Sequence, residues 1–230
     1  MKLSNETISV LKNFSTINQN LMVKAGKSIA TMSAMKNIVA KAEVKEDFLT
    51  DFAIYDLNEF LSGLSLFDEP NLEFHNDFVI ITEEGTSKSL KYWFSDPSVV
   101  TTPTKEITMP SIEITFNLTN NTLEEITKAA AVIGVPDMAL VNGKLMVTDK
   151  KNNTANAYET SIDVGDVDAD YKFWFKVENL KLMPGSYDVE ISSKKITHFT
   201  NTKIGVQYWI ALEPESTYTE KKDEKAEENA

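Results

Sequence analysis

Two short passages of this chain repeat one pattern. Ile54-Tyr55-Asp56-Leu57 and Val177-Glu178-Asn179-Leu180 each run from a strand-like hydrophobic stretch into an Asp or Asn suited to capping a helix, followed by helical apolar spacing. Upstream of each lies an amphipathic helix with a lysine opposite its apolar face, around Lys12 and around Lys128. The pattern constrains the chain to two like halves, which together are expected to present four helices.

Length and composition agree with that division. A chain of 230 residues that is 42% apolar and 10% aromatic can fill one large or two modest cores. With no cysteine, disulfides and thiolate metal sites are excluded. Met1-Lys2-Leu3 leads into polar Ser4-Asn5-Glu6 rather than a signal segment, and no apolar run approaches the roughly 18 to 20 residues of a membrane helix. A cytoplasmic protein without a membrane partner is expected.

The net charge of -12 argues against a broadly basic surface that coats nucleic acid. Seven acids and three lysines fall between Glu213 and Ala230. Residues 215–230 therefore read as an acidic, disordered tail.

Along the chain, a helix is expected from about Ser4 to Asn18, with Leu11 and Phe14 on its buried side and Asn5, Ser9, Lys12 and Thr16 opposite. A second is expected from Asp56 to near Phe67. Strands follow at Phe78 to Ile81 and Leu90 to Phe94, around the turn signal Glu84-Gly85. Three prolines between Ser95 and Pro110 suit an extended connector. The domain boundary is placed there, giving domains at 1–108 and 109–214 with the connector at about 95–110.

The second half opens with the alternating run Ile112 to Leu118. A helix from about Thr122 to Ile133 follows, with Thr122 and Glu125 spaced as a capping box and Gly134 placed to stop it. Asn142-Gly143 signals a hairpin between Met138–Val141 and Lys144–Val147. Further strands are expected at Tyr171 to Val177, Tyr187 to Ile191 and Ile204 to Leu212.

Chemical motifs are sparse. His75 and His198 have no neighbour at metal-ligand spacing, and the acids Asp163, Asp166, Asp168 and Asp170 miss the calcium-loop pattern at its Gly and Glu positions. No phosphate loop, dinucleotide fingerprint or nucleophile elbow occurs. No catalytic residue, metal or cofactor is therefore assigned, and a hydrolase using unrecognised carboxylates is the weakest alternative.

The residues nevertheless resemble a known family, the sliding clamps of T-even-type bacteriophages, counterparts of the proliferating cell nuclear antigen. The likeness begins at Met1-Lys2-Leu3-Ser4 and continues through Leu11 to Asn18. It is closest from Ala53 to Leu61, and it returns at Asp96-Pro97-Ser98, Gly165 to Asp168, Met183 to Tyr187 and Ala211-Leu212-Glu213. No one motif is diagnostic; their colinear order to about Thr217 carries the resemblance.

The resemblance implies an α+β DNA clamp fold with two similar domains per chain, helices lining a ring interior and antiparallel sheets outside. It implies a non-enzymatic homotrimer that encircles duplex DNA without sequence preference and tethers the replicative polymerase. Lys2, Lys12, Lys128 and Lys181 would face DNA. Lys181 falls opposite Asn58 in the repeated phrase, so the second domain would bring more positive charge, with Glu59 close to the hole.

A pocket for the polymerase C-terminal peptide would use Val99, Val100, Pro103, Ile107 and Met109 beside the connector, and Trp209, Ile210 and Leu212 opposite. Strict alternation would let only one of the sets Trp209/Ala211 and Tyr208/Ile210/Leu212 face the core. A clamp loader and late-transcription factors are further implied partners, and the host cytoplasm the implied location. The competing reading is a β-rich phage structural or assembly protein.

Overall fold

The computed structural model describes residues 1–221, which form two compact units. The first holds Met1–Ile107, Lys181–Met183 and Thr200–Trp209; the second holds Thr108–Leu180, Pro184–Phe199 and the chain from Ile210 onward. Two short pieces from late in the chain thus pack with the first unit, which a division into colinear halves does not anticipate.

In chain order the first half contains α1 (Asn5–Ile17), β1 (Leu21–Val23), β2 (Gly26–Met32), β3 (Ile38–Phe48), β4 (Phe52–Ile54), α2 (Leu57–Leu64), β5 (Asn71–Phe74), β6 (Phe78–Thr82) and β7 (Ser89–Trp93). The second contains β8 (Ile114–Leu118), α3 (Asn120–Ile133), β9 (Asp137–Val141), β10 (Lys144–Thr148), β11 (Tyr158–Ser161) and β12 (Ala169–Lys176). It continues with β13 (Tyr187–Ser192), β14 (Ile196–Asn201), β15 (Val206–Ala211) and β16 (Thr217–Glu220).

Within the first unit, β4, β1, β2 and β3 lie side by side, and β5, β6 and β7 form a separate antiparallel sheet. Apolar residues of both helices pack inward: Val10, Leu11, Phe14 and Ile17 from α1, and Leu57, Phe60 and Leu64 from α2. Phe52 stacks on Phe94 at 4.9 Å and meets Phe48 edge-on at 5.6 Å. Such rings bury large apolar areas, so a thin sheet can still close a core.

Within the second unit, β8 pairs with β13, and β11, β10, β9, β12 and β16 form one sheet in that order. The β9–β10 hairpin turns on Asn142 and Gly143 at φ 43° and 82°, the positive pair that a two-residue turn requires. Leu123, Ile126 and Ala130 form the buried stripe of α3, and Gly134 ends it at φ 68°.

Three expectations need correction. First, Asn179 caps no helix: Val177–Asn179 is a single 3-10 turn, leaving three α-helices among the described residues. Leu57 N donates to Gln19 O at the start of α2, and Val177 N donates to Pro136 O at the start of the turn. Those equivalent bonds align Asp56 with Lys176, three residues from the alignment that the repeated phrase implies. The Asp56 carboxylate accepts from Asn58 N and Glu59 N at 2.9 and 3.1 Å, whereas lysine has no acceptor to offer.

Second, α3 starts earlier than the capping box placed it. Thr119 is the cap, accepting from Thr122 N at 3.1 Å, while Glu125 accepts a hydrogen bond from the Tyr158 hydroxyl. Third, residues 217–220 of the expected disordered tail form β16, with Tyr218 opposite Tyr171 and stacked on Phe173. Averaging charge over the tail hides the alternating Thr-Tyr-Thr. The remainder, 222–230, lies outside the described residues.

Candidate nucleic-acid interface

The surface of α1 follows from how its first turn is held. Ser4 caps the helix by accepting from Thr7 N at 3.2 Å, and the buried Glu46 of β3 accepts from Ser4 N at 2.5 Å and from the Thr7 hydroxyl. The helix is thereby anchored on β3 with its apolar stripe inward. Asn5, Ser9, Lys12 and Thr16 are exposed on the other side.

That outer strip is nearly neutral. Ser9 donates to Asn5 O at 2.8 Å, Ser15 to Lys12 O at 2.9 Å and Thr16 to Asn13 O at 2.7 Å, so these hydroxyl hydrogens turn back onto the helix. Glu6 is paired with Lys45 at 3.0 Å. Lys12 makes no ion pair among the described residues and is the strip's one cation.

On α3, Lys128 is likewise exposed and without an ion pair among the described residues. Its acidic neighbours have other partners: Glu124 accepts from the Asn120 amide at 2.8 Å, and Glu125 from Tyr158. The outer face of α2 carries Asn58, Glu59 and Ser62, with no lysine. Glu59 also acts on the ring behind it: burial first, then Glu59 and Asp56, push the Tyr92 hydroxyl up to about 12.

The other two lysines have local partners. Lys2 bridges Glu69 at 2.7 Å, and the hydrogen bond it donates to that carboxylate raises its pKa. Lys181 belongs to the first unit and donates to Thr16 O in the last turn of α1, where a cation complements the helix dipole. Its own carbonyl accepts from Asn13 Nδ2 at 2.9 Å; Tyr208 donates to Asn13 Oδ1 at 2.8 Å, and Met183 N donates to the Tyr208 oxygen at 3.2 Å. The expectation that Lys181 adds to the second unit's charge is therefore reversed.

The pocket residues divide as well. Val99, Val100, Pro103, Ile107 and Trp209 fall in the first unit, while Met109, Ile210 and Leu212 fall in the second. Val99 is 54% exposed, on a 3-10 turn capped by Asp96, and Val100, Pro103, Ile107 and Met109 are half-buried. Ile210 has no exposed surface and packs as core, which corrects its place in the pocket, while Leu212 and Trp209 retain 6% and 9%.

One apolar surface was missed. Beside β7, a groove of about 600 Å³ is lined by Tyr55, Glu59, Gly63, Leu66, Leu90 and Trp93 among others. Tyr55, Leu66 and Trp93 are 56%, 63% and 61% exposed. Each stood in an expected strand or helix, and only the fold brings them together.

The solved structure of PCNA from Thermococcus kodakaraensis matches with a TM-score of 0.67 over 93% of this chain and 99% of that one, at 13% identity. Both units thus take part in a DNA clamp fold. Residues 4–102 match the family described as DNA polymerase processivity factor, and residues 115–214 the one described as gp45 sliding clamp, C terminal. The sliding clamp of Vibrio phage KVP40 is 33% identical over 223 residues, covering 93% of this chain and 99% of its own. That of Enterobacteria phage T4 is 30% identical over 230 residues, covering 95% and 99%. The chain belongs to the sliding-clamp family of DNA polymerase processivity factors.

Proposed function

We propose that three copies close head to tail into a ring around duplex DNA and hold the replicative polymerase there, with no chemical step of their own. The observation that carries this reading is the pair of helix faces on α1 and α3. Each offers one exposed lysine that makes no ion pair among the described residues; the α1 strip is otherwise polar and nearly neutral, while on α3 the exposed Glu124 and Glu125 stand beside Lys128. Such a wall attracts the phosphate backbone at long range yet forms few bonds that sliding must break. Lys12 and Lys128 are the principal DNA-facing cations; Lys2 and Lys181, tied to Glu69 and Thr16, contribute mainly to the field.

The sheets support closure. β7 ends the three-stranded sheet and β11 ends the five-stranded one, so each unit has an edge able to accept another strand. Pairing β7 of one copy with β11 of the next would cover Trp93, Tyr55 and Leu66, and a head-to-tail contact closes into a ring when its rotation permits. In the first unit, Val99, Val100, Pro103, Ile107 and Trp209 would receive the polymerase C-terminal peptide. A clamp loader and late-transcription factors would be further clients, in the host cytoplasm.

Sedimentation and primer extension test the reading. The 25.8 kDa chain should sediment as a trimer, and Trp93→Glu should reduce it to the monomer. Charge reversal at Lys12, Lys128 and Lys181 together should impair loading and clamp-dependent synthesis. A strictly monomeric parent at micromolar concentration, or synthesis indifferent to the three reversals, would count against it.

A further inference from the structure

The exposed strip of α1 shares a groove with a part of the chain far away in sequence. An open groove of about 800 Å³ is lined jointly by Asn5, Ser9, Glu43, Lys45, Lys203 and Gly205 among others. All of them belong to the first unit. Ser9 stands one helical turn from Lys12, on the same exposed strip. Lys203 is therefore set beside the surface that Lys12 serves.

The turn that carries Lys203 is firmly built. Asn201 Oδ1 accepts from Lys203 N at 3.1 Å and Ile204 N at 3.3 Å, while the carbonyl of Gly205, a residue at φ 64°, accepts from Glu43 N at 2.9 Å. The groove's other lysine, Lys45, is engaged with Glu6. Lys203 is exposed and makes no ion pair among the described residues. Glu43 lines the same groove, so the groove is no closed anion trap. What it offers is one long-stemmed cation, whose point charge can exchange phosphates more readily than a bidentate guanidinium.

We propose that Lys203 is a further contact to backbone phosphates of duplex DNA, acting with Lys12, and that these two carry the first unit's attraction for the duplex rather than Lys2 and Lys181. The proposal rests on the ring reading above, since it needs the α1 face to meet DNA. It adds a residue that no helix periodicity could reveal, because Lys203 lies in a hairpin turn.

The test is the salt dependence of binding to a short, open-ended duplex, read by fluorescence anisotropy on the full chain. Removing one lysine–phosphate interaction should flatten the log–log slope by about 0.9. Lys203→Ala and Lys12→Ala should each flatten it by at least that much, and the double variant by more. Lys88→Ala, which removes a lysine paired with Glu83 on the β6–β7 turn, is the charge-matched control and should leave the slope at the parent value. A parent with a clear slope that Lys203→Ala leaves intact would overturn this proposal alone. A parent with no salt-dependent binding would overturn the ring reading and this proposal with it. Circular dichroism and sedimentation of each variant distinguish weakened DNA binding from misfolding.

Discussion

Asp137, with no exposed surface, holds Lys176 Nζ at 2.5 Å and also accepts from Lys150 N at 3.0 Å. The pair occupies the point where the first half of the chain starts α2. A lysine there serves a buried carboxylate instead of a helix, so the second half makes one 3-10 turn and moves on. Lys176→Met should cost about 3 kcal/mol, because it strands a buried charge. Urea denaturation of the parent and the variant measures it; a loss below a few tenths would mean that the pair is incidental.

Asp56→Ala removes the acceptor for Asn58 N and Glu59 N at the start of α2. The expected loss is about 1 kcal/mol, and Asp56→Asn should recover most of it. Equal losses in both variants would show that the charge of Asp56, rather than its role as an acceptor, supports the helix.

Glu46 links acid stability to α1. Burial pushes its pKa up, but the hydrogen bonds from Thr7 and from the Ser4 amide outweigh that, and the net shift is downward from 4.5. A carboxylate depressed in the folded state contributes stability that is present above its unfolded value and is lost as pH falls through the folded one. Melting temperature should therefore fall below about pH 4.5 more steeply in the parent than in Glu46→Gln. Parallel pH profiles for the two would refute the assignment.

Tyr208→Phe keeps the buried ring but leaves Asn13 Oδ1 and Met183 N without their shared partner. A cost of about 1 to 2 kcal/mol is expected. Amide hydrogen exchange should quicken at Met183 before it does in α1, since Lys181–Met183 lies outside any helix or strand; uniform protection would mean that the hydroxyl bonds are dispensable.

Val100→Asp probes the partner pocket. A polymerase C-terminal peptide titrated into the variant should bind at least tenfold more weakly than into the parent, because a carboxylate would replace an apolar side chain. Unchanged affinity would move the pocket elsewhere.

What could be read from the sequence followed local physics. The α1 span, the Gly134 stop and the Asn142-Gly143 hairpin all rest on neighbours within a few residues, and they stand in the structure. The longest strand, β3, was missed: Ala40-Lys41-Ala42-Glu43 pairs period-two burial with residues of poor strand propensity. Its stability comes from neighbouring strands and from anchoring α1 through Glu46. Lysines at helical spacing were legible at Lys12 and Lys128, but the bonds that occupy Lys2 and Lys181 come from Glu69 and Thr16, far off in sequence. Colinear resemblance identified the family; side-chain roles needed the fold.

The pairing of β8 with β13 sets a clock. The β9–β10 hairpin joins adjacent segments through a two-residue turn and can close in about 1 to 10 μs. β8 precedes it in the chain yet must wait for β13, beyond α3 and four intervening strands, before its edge is filled. While a chain is being synthesised, this strand near its middle therefore stays unpaired after the hairpin beyond it has closed. That interval, more than the finished molecule, is when neighbouring nascent chains are most exposed to wrong pairing.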